Sequence, residues 1–86
     1  MQPYQYVMHH ADMSLGTPLT YSYYKNMEQS WPSVPRAGDQ VEVGHGQVSP
    51  VQWVEFQDEK IRLHFHAEDQ DFSADDLALA GFARPA

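Results

Sequence analysis

A period of two runs through two stretches in the first third of the chain. In residues 4–9 the alternate positions are Tyr4, Tyr6 and Met8, and residues 19–24 repeat the pattern with Leu19, Tyr21 and Tyr23. This period in residues that favour extended backbone predicts a β-strand in each stretch. Residues 11–18 contain glycine and proline, so we expect a loop between the two strands. Residues 25–30 either extend the second strand or form one helical turn.

The second half carries the clearest pattern, a hairpin of residues 51–56 and 61–66 around a turn at 57–60. The apolar face of this hairpin pairs Phe56 with Ile61, Val54 with Leu63 and Gln52 with Phe65. The other face pairs Glu55 with Arg62, Trp53 with His64 and Val51 with His66. A shift by one residue would turn Arg62 and His64 into the core, so the pattern fixes the register.

Another hairpin is predicted just before this one. Residues 41–43 alternate as a strand, and Gly44-His45-Gly46 is a three-residue loop whose glycines can supply positive φ. Pro50 then implies an edge position, a bulge or a sharp bend ahead of the next strand. Residues 31–39 hold two prolines and a glycine, and we expect them to be irregular.

One short helix is predicted near the C-terminus, over residues 74–80. Ser73 suits the N-cap position, acidic residues occupy the first turn, and Gly81 suits the position after the last turn. Two turns of helix need packing to be stable, and Phe72, Leu77 and Phe82 are the expected anchors.

These elements predict a mainly β fold (β-rich α+β) in a single domain over residues 1–86. Five or six short strands with one C-terminal helix suggest a small antiparallel barrel or a strongly bent sheet. The run Pro-Arg-Ala-Gly-Asp-Gln-Val-Glu-Val at 35–43 resembles the start of SH3-like barrels, in which a Pro–Gly–Asp turn leads into the first barrel strand. The resemblance covers about 30 residues with the two strands that follow, and it implies a fold and no function.

The composition predicts a small core rich in aromatic side chains. Leu, Ile, Val and Phe make up only 17 of the 86 residues, near the limit at which a chain buries enough apolar surface to fold. Five tyrosines and two tryptophans compensate, because each ring can bury about 150–250 Å². No separate cofactor and substrate domains fit into this length.

Charge and cysteine content exclude several classes of function. The formal net charge is −7 and the five Lys and Arg residues are scattered singly, so neither nucleic acid nor an anionic membrane surface is an expected partner. The acidity serves solubility or a basic partner protein. The absence of cysteine removes disulfides, thiolate zinc sites and cysteine nucleophiles. No signal peptide or membrane-spanning run is visible, and we expect a cytoplasmic protein.

Histidines offer one candidate site. His64 and His66 lie on one face of a predicted strand, about 6.5–7 Å apart along it. A further ligand could come from a neighbouring strand or hairpin loop (His9, His10 or His45) or from the next loop (Glu68 or Asp69). Zinc, nickel or copper would accept such ligands. The alternative is that these histidines only occupy the wetter face of the strand.

Catalysis is not expected. No nucleophile elbow and no phosphate-binding glycine loop occurs, and the adjacent carboxylates lie in turns or at the helix start. We therefore expect neither an enzyme nor a cofactor.

The aromatic residues suggest a binding module. Tyrosine and tryptophan dominate interface hot spots and pocket linings. The candidate interface residues are Tyr4, Tyr6, Tyr21, Tyr23, Trp31, Val51 and Trp53. Two interpretations stay open, an exposed aromatic surface or a core of the same residues whose hydroxyls reach the rim.

The expected function is therefore that of an acidic, non-enzymatic interaction module that binds a protein partner or itself. A dimer that stacks the Trp53 face of the hairpin on its symmetry mate would weaken as His64 and His66 become protonated. The alternative is a small-molecule or metal site at the end of a barrel that uses Tyr and His side chains.

Overall fold

Six strands and one helix form the structure, a computed structural model. It describes residues 3–12, 16, 19–27, 33–44, 46–68 and 72–84. The elements are β1 (Tyr4–Asp12), β2 (Leu19–Met27), β3 (Gln40–Gly44), β4 (Gln47–Pro50), β5 (Trp53–Phe56), β6 (Ile61–Glu68) and α1 (Ala74–Leu79). The mainly β class and the short C-terminal helix are confirmed. Residues 25–27 continue β2, while Trp31 and His45 lie outside the described residues.

The strands are arranged in two sheets. A four-stranded sheet has the order β2-β1-β6-β5, and β3 and β4 form a separate hairpin. Within the described residues the strands do not close into a barrel. One pairing departs from the expected antiparallel arrangement, because β1 lies parallel to β6. Parallel neighbours need a long connection, and here the four intervening strands supply it.

The register predicted for the hairpin of β5 and β6 is confirmed over the four pairs nearest the turn, from Trp53 opposite His64 to Phe56 opposite Ile61. The two outer pairs, Gln52–Phe65 and Val51–His66, are wrong. The amide of Gln52 donates to the carbonyl of His64, which Trp53 already faces. Two residues thus oppose one, as in a β-bulge, and the alternation of faces shifts by one position.

This shift moves Val51 away from the Trp53 face where the sequence placed it. Val51 is 2% exposed and belongs to the core. Its amide donates to the carbonyl of Asp39, and its own carbonyl accepts from the amide of Gly38. The bend that Pro50 predicts therefore turns Val51 inward, and Val51 is not an interface residue on the outer face.

The core lies between the inner face of the four-stranded sheet and a cover formed by the β3–β4 hairpin and α1. Tyr6 contacts Phe65 edge to face at 5.3 Å between ring centroids, a favourable geometry for aromatic pairs. The buried hydrophobic side chains of this core are those of Tyr4, Tyr6, Met8, Tyr23, Val41, Val43, Val51, Ile61, Leu63, Phe65, Ala67, Leu77 and Phe82. As expected, aromatic rings compensate for the scarcity of aliphatic residues.

The helix forms as its sequence predicts. Ser73 and Asp76 make a reciprocal capping box, which satisfies two amide groups at the helix start. Leu77 and Phe82 are buried, and Phe72 packs against the core. Beyond the helix, Ala83 pairs with Tyr24 of β2 through two backbone hydrogen bonds of 2.8 and 2.9 Å. The end of the chain therefore covers part of the outer edge of β2.

Gly44 allows the β3–β4 hairpin to approach the end of the helix. Its φ is +154°, and a Cβ built on it would lie 2.5 Å from the Cβ of Ala80. Gly46, in the same loop, has a φ of +77° but open space around its Cα. Both glycines have a positive φ, but only at Gly44 does close packing also exclude a side chain.

We predict that Gly44→Ala lowers the free energy of unfolding by about 2–4 kcal/mol, because it adds a collision to an unfavourable backbone conformation. Gly46→Ala should cost only about 1–2 kcal/mol. Urea denaturation measures both, and adding Ala80→Gly to Gly44→Ala should recover part of the loss. An equal cost for the two single variants would show that the contact with Ala80 does not matter.

Candidate functional site

Three rings stack on the outer face of the four-stranded sheet, opposite the core. The ring of Trp53 lies 4.3 Å from that of His64 and 5.1 Å from that of His9, all measured between centroids. The interplanar angles are 9° and 25°, so the stacks are nearly parallel. The antiparallel β5–β6 pairing brings Trp53 beside His64, and the parallel β1–β6 pairing adds His9. His64 lies within this stack and is buried.

A hydrogen-bond chain runs through the same residues. His64 Nε2 lies 2.9 Å from Glu55 Oε1, and His64 Nδ1 lies 2.9 Å from His9 Nε2. The Glu55 carboxylate can only accept, so His64 Nε2 carries the proton and donates it. In neutral His64, Nδ1 then accepts from the Nε2–H of His9. The two imidazoles are thus fixed in one tautomer each, with the anionic end of the chain on Glu55.

The polar chain continues across the sheet toward β2. Arg62 lies 3.8 Å from Glu55 and donates from Nε to the Gln5 side chain at 2.8 Å. Gln5 in turn donates to Asn26 Oδ1 at 3.0 Å. All four strands of the sheet are therefore joined by side chains on the outer face as well as by their backbones.

Two residues of this hydrogen-bond chain, His9 and Glu55, have shifted pKa values. Burial first, and then the proximity of His64 and His66, lowers the pKa of His9 from its ordinary value of 6.5. Hydrogen bonds from Gln57 and then from His64 lower the pKa of Glu55 against a smaller opposing effect of burial, and the charge of Arg62 adds a weaker lowering. Near neutral pH the hydrogen-bond chain therefore links the Glu55 carboxylate, through His64, to a neutral His9.

A groove of about 780 Å³ lies along β5, and Trp53 lines it as well as stacking on the two imidazoles. This volume is typical of ligand-binding clefts, which span about 300–1,000 Å³. The groove is lined by Ser33, Val34, Pro35, Arg36, Ala37, Asp39, Trp53, Val54 and Phe56. Trp53 is 48% exposed and Phe56 is 69% exposed, so two large apolar side chains of one short strand face solvent.

The wall of the groove opposite β5 is held in place by a turn. The backbone carbonyl of Arg36 accepts a hydrogen bond from the amide of Asp39 at 3.0 Å, and the Asp39 carboxylate accepts one from the amide of Arg36 at 2.9 Å. Gly38 and Asp39 bond in turn to Val51 of the core. The groove is therefore formed before any partner binds.

Most of the predicted tyrosine surface lies inside the molecule. Tyr4 and Tyr6 share one face of the sheet with Tyr21 and Tyr23, as expected, but this is the face that packs on the core. Tyr4, Tyr6 and Tyr23 are buried, and Tyr21 is partly buried against the core. For these residues the core interpretation is correct, because the hairpin and helix cover the face that they occupy. Of the predicted interface residues in the described structure, Trp53 is the exposed one.

Of the predicted metal ligands, His45 lies outside the described residues, and His64 and His66 belong to no metal-binding group among those described. Both ring nitrogens of His64 are engaged, one by Glu55 and one by His9, so His64 has no lone pair free for a metal. His66 is exposed two residues further along β6. No group of three His, Asp or Glu side chains in the described part of the chain could hold a metal ion.

Reasoning from sequence missed Phe56 as part of the site, and it named His9 only as a possible metal ligand. Phe56 does lie on the apolar face of the hairpin, as its alternation predicts, but at its end of β5 this face borders the groove and the ring is exposed. His9 follows the alternation of β1, and its position on the same face as Gln5 was readable. Its contact with His64 was not, because only the parallel pairing of β1 with β6 creates it.

Comparisons with known proteins identify no relative: no family model matches the chain, and no curated protein or solved structure matches it significantly. In the described part of the chain no helix has the length and apolarity needed to cross a membrane.

The lowered pKa of His9 predicts a pH dependence of stability. The unfolded chain takes up the proton near the ordinary pKa of 6.5, while the folded chain resists it, so stability falls as pH decreases from that value toward the lower folded pKa. Urea denaturation between about pH 7.5 and pH 5.5 should show this loss in the wild type and a smaller loss in His9→Gln. Equal losses in both proteins would show that His9 does not carry the effect.

Proposed function

We propose that this protein is a non-enzymatic interaction module that binds a basic protein partner in the groove along β5. The observation that carries the proposal is the pairing of two exposed rings, Trp53 and Phe56, with a preformed apolar groove. Tryptophan is enriched among the residues that dominate binding energy.

The stack beneath Trp53 supports this role. His64 and His9 hold the indole on one side, so the ring loses little conformational freedom when a partner contacts it. Glu55 fixes His64 in turn. The hydrogen-bond chain thus acts as a support for a contact residue, and among the described residues no serine or threonine hydroxyl bonds to either imidazole to suggest catalysis.

The charge of the chain favours a basic partner over a second copy of itself. Two molecules that each carry a net charge of −7 repel each other, whereas a cationic partner is attracted and steered toward the site. The groove itself is mostly apolar, so the charge contributes to association and to the choice of partner while the apolar contacts hold the complex together.

Site-specific photo-crosslinking tests the proposal. A benzophenone amino acid placed at position 56 should crosslink a partner in cells, because Phe56 lines the groove. The matched control is position 79, since Leu79 is also exposed, at 73%, but does not line the groove. The captured protein, once purified, should bind the wild type and lose about tenfold or more in affinity to Trp53→Ala.

Two outcomes would contradict the proposal. Equal crosslinking from positions 56 and 79 would show that the groove is not the contact site. A captured partner that binds Trp53→Ala as tightly as it binds the wild type would show that the stacked indole has no part in recognition.

A further inference from the structure

The strand that lines the groove is also the open edge of the sheet. In the order β2-β1-β6-β5, both β2 and β5 are edge strands. The edge of β2 is partly covered by Ala83, which bonds to Tyr24. In the part of the chain that the structure describes, no strand pairs with the outer side of β5. Unpaired edges present backbone groups that can pair with another chain.

The hydrogen-bond pattern of β5 identifies the backbone groups that point outward. Gln57 donates to Lys60 at 2.9 Å, so these two residues form a hydrogen-bonded pair at the end of the hairpin. Such pairs alternate along an antiparallel ladder. Glu55 and Trp53 therefore bond to β6, whereas the amide and carbonyl groups of Val54 and Phe56 point away from it, toward the groove side.

We propose that an extended segment of the partner binds by adding a fifth strand to the outer edge of β5. This inference rests on the proposed function and specifies how the groove is occupied. The backbone groups of Val54 and Phe56 supply the hydrogen bonds, and the groove receives every second side chain of the added strand. Val54 and Phe56 themselves lie on the groove side, so the incoming side chains pack beside them.

The two faces of the sheet define the chemistry of the added segment. Side chains on the groove face meet Val34, Pro35 and Ala37, and are therefore apolar. The intervening side chains lie on the outer face, beside Glu55 and Trp53, whose ring borders the groove from that side. Glu55 keeps its charge because its pKa is lowered, and its side chain is 40% exposed. Cationic residues fit there, so the partner segment alternates apolar with basic residues.

Synthetic peptides with alternating valine and lysine provide the probe, at about eight residues to match typical strand lengths. Binding is measured by calorimetry with the full chain, and contact at β5 by the amide resonances of Val54 and Phe56. Two further peptides carry N-methyl groups either on all valine amides or on all lysine amides. In a strand these two sets of amides point to opposite edges. One methylated peptide should therefore lose binding while the other keeps it.

A pair of variants tests the same claim from the protein side. Phe56→Ala removes the ring but keeps the outward amide, whereas Phe56→Pro removes both. Proline is tolerated on an edge strand when its nitrogen faces away from the ladder, so both variants should fold, as thermal unfolding can check. We expect Phe56→Pro to bind the peptide about fivefold to tenfold more weakly than Phe56→Ala, the loss of one backbone hydrogen bond.

Three results would overturn the inference. Equal binding by both methylated peptides and by both Phe56 variants would mean side-chain docking without strand addition, and would leave the proposed function intact. Failure of the unmodified peptide to bind would reject the apolar and basic segment. A wild-type dimer in sedimentation equilibrium that Phe56→Pro dissociates would identify a second copy as the occupant of the edge.

Discussion

The parallel pairing of β1 with β6 is the constraint on which the rest of the structure depends. It joins the first strand of the chain to the last, so everything between them must fold as the connection. β1 then receives β2 on its other side and lies at the centre of the sheet. Pairing of such distant segments has a high entropic cost, which the burial of Tyr6, Met8, Leu63 and Phe65 on the shared inner face offsets.

The same pairing creates the outer face. His9 reaches His64 only because β1 runs beside β6, and His64 reaches Trp53 and Glu55 only because β5 pairs on its other side. Gln5, Val7 and His64 are buried on this face. The stacked rings and the polar chain from Glu55 to Asn26 run across it, and Trp53 is half exposed beside the groove.

Much of this could be predicted from local patterns. Alternation predicted the four pairs of the β5–β6 hairpin nearest the turn, and Ser73 with its acidic neighbours predicted the start of the helix. Contacts that depend on distant pairing could not. The bulge at Gln52 reversed the face of Val51, and no local signal distinguishes a tyrosine strand that faces the core from one that faces solvent. The groove could not be predicted because its two walls come from residues 33–39 and β5, which only the bend after Pro50 brings together.

Amide hydrogen exchange of the free protein tests most directly the central claim, that β5 presents an open edge to a partner. At low concentration, the amides of Val54 and Phe56 should exchange within about tenfold of the rate in an unstructured peptide. Those of Trp53 and Glu55 should be much slower, because they bond to β6. Equal and strong protection of all four amides would contradict the account, since it would mean that the edge is already paired.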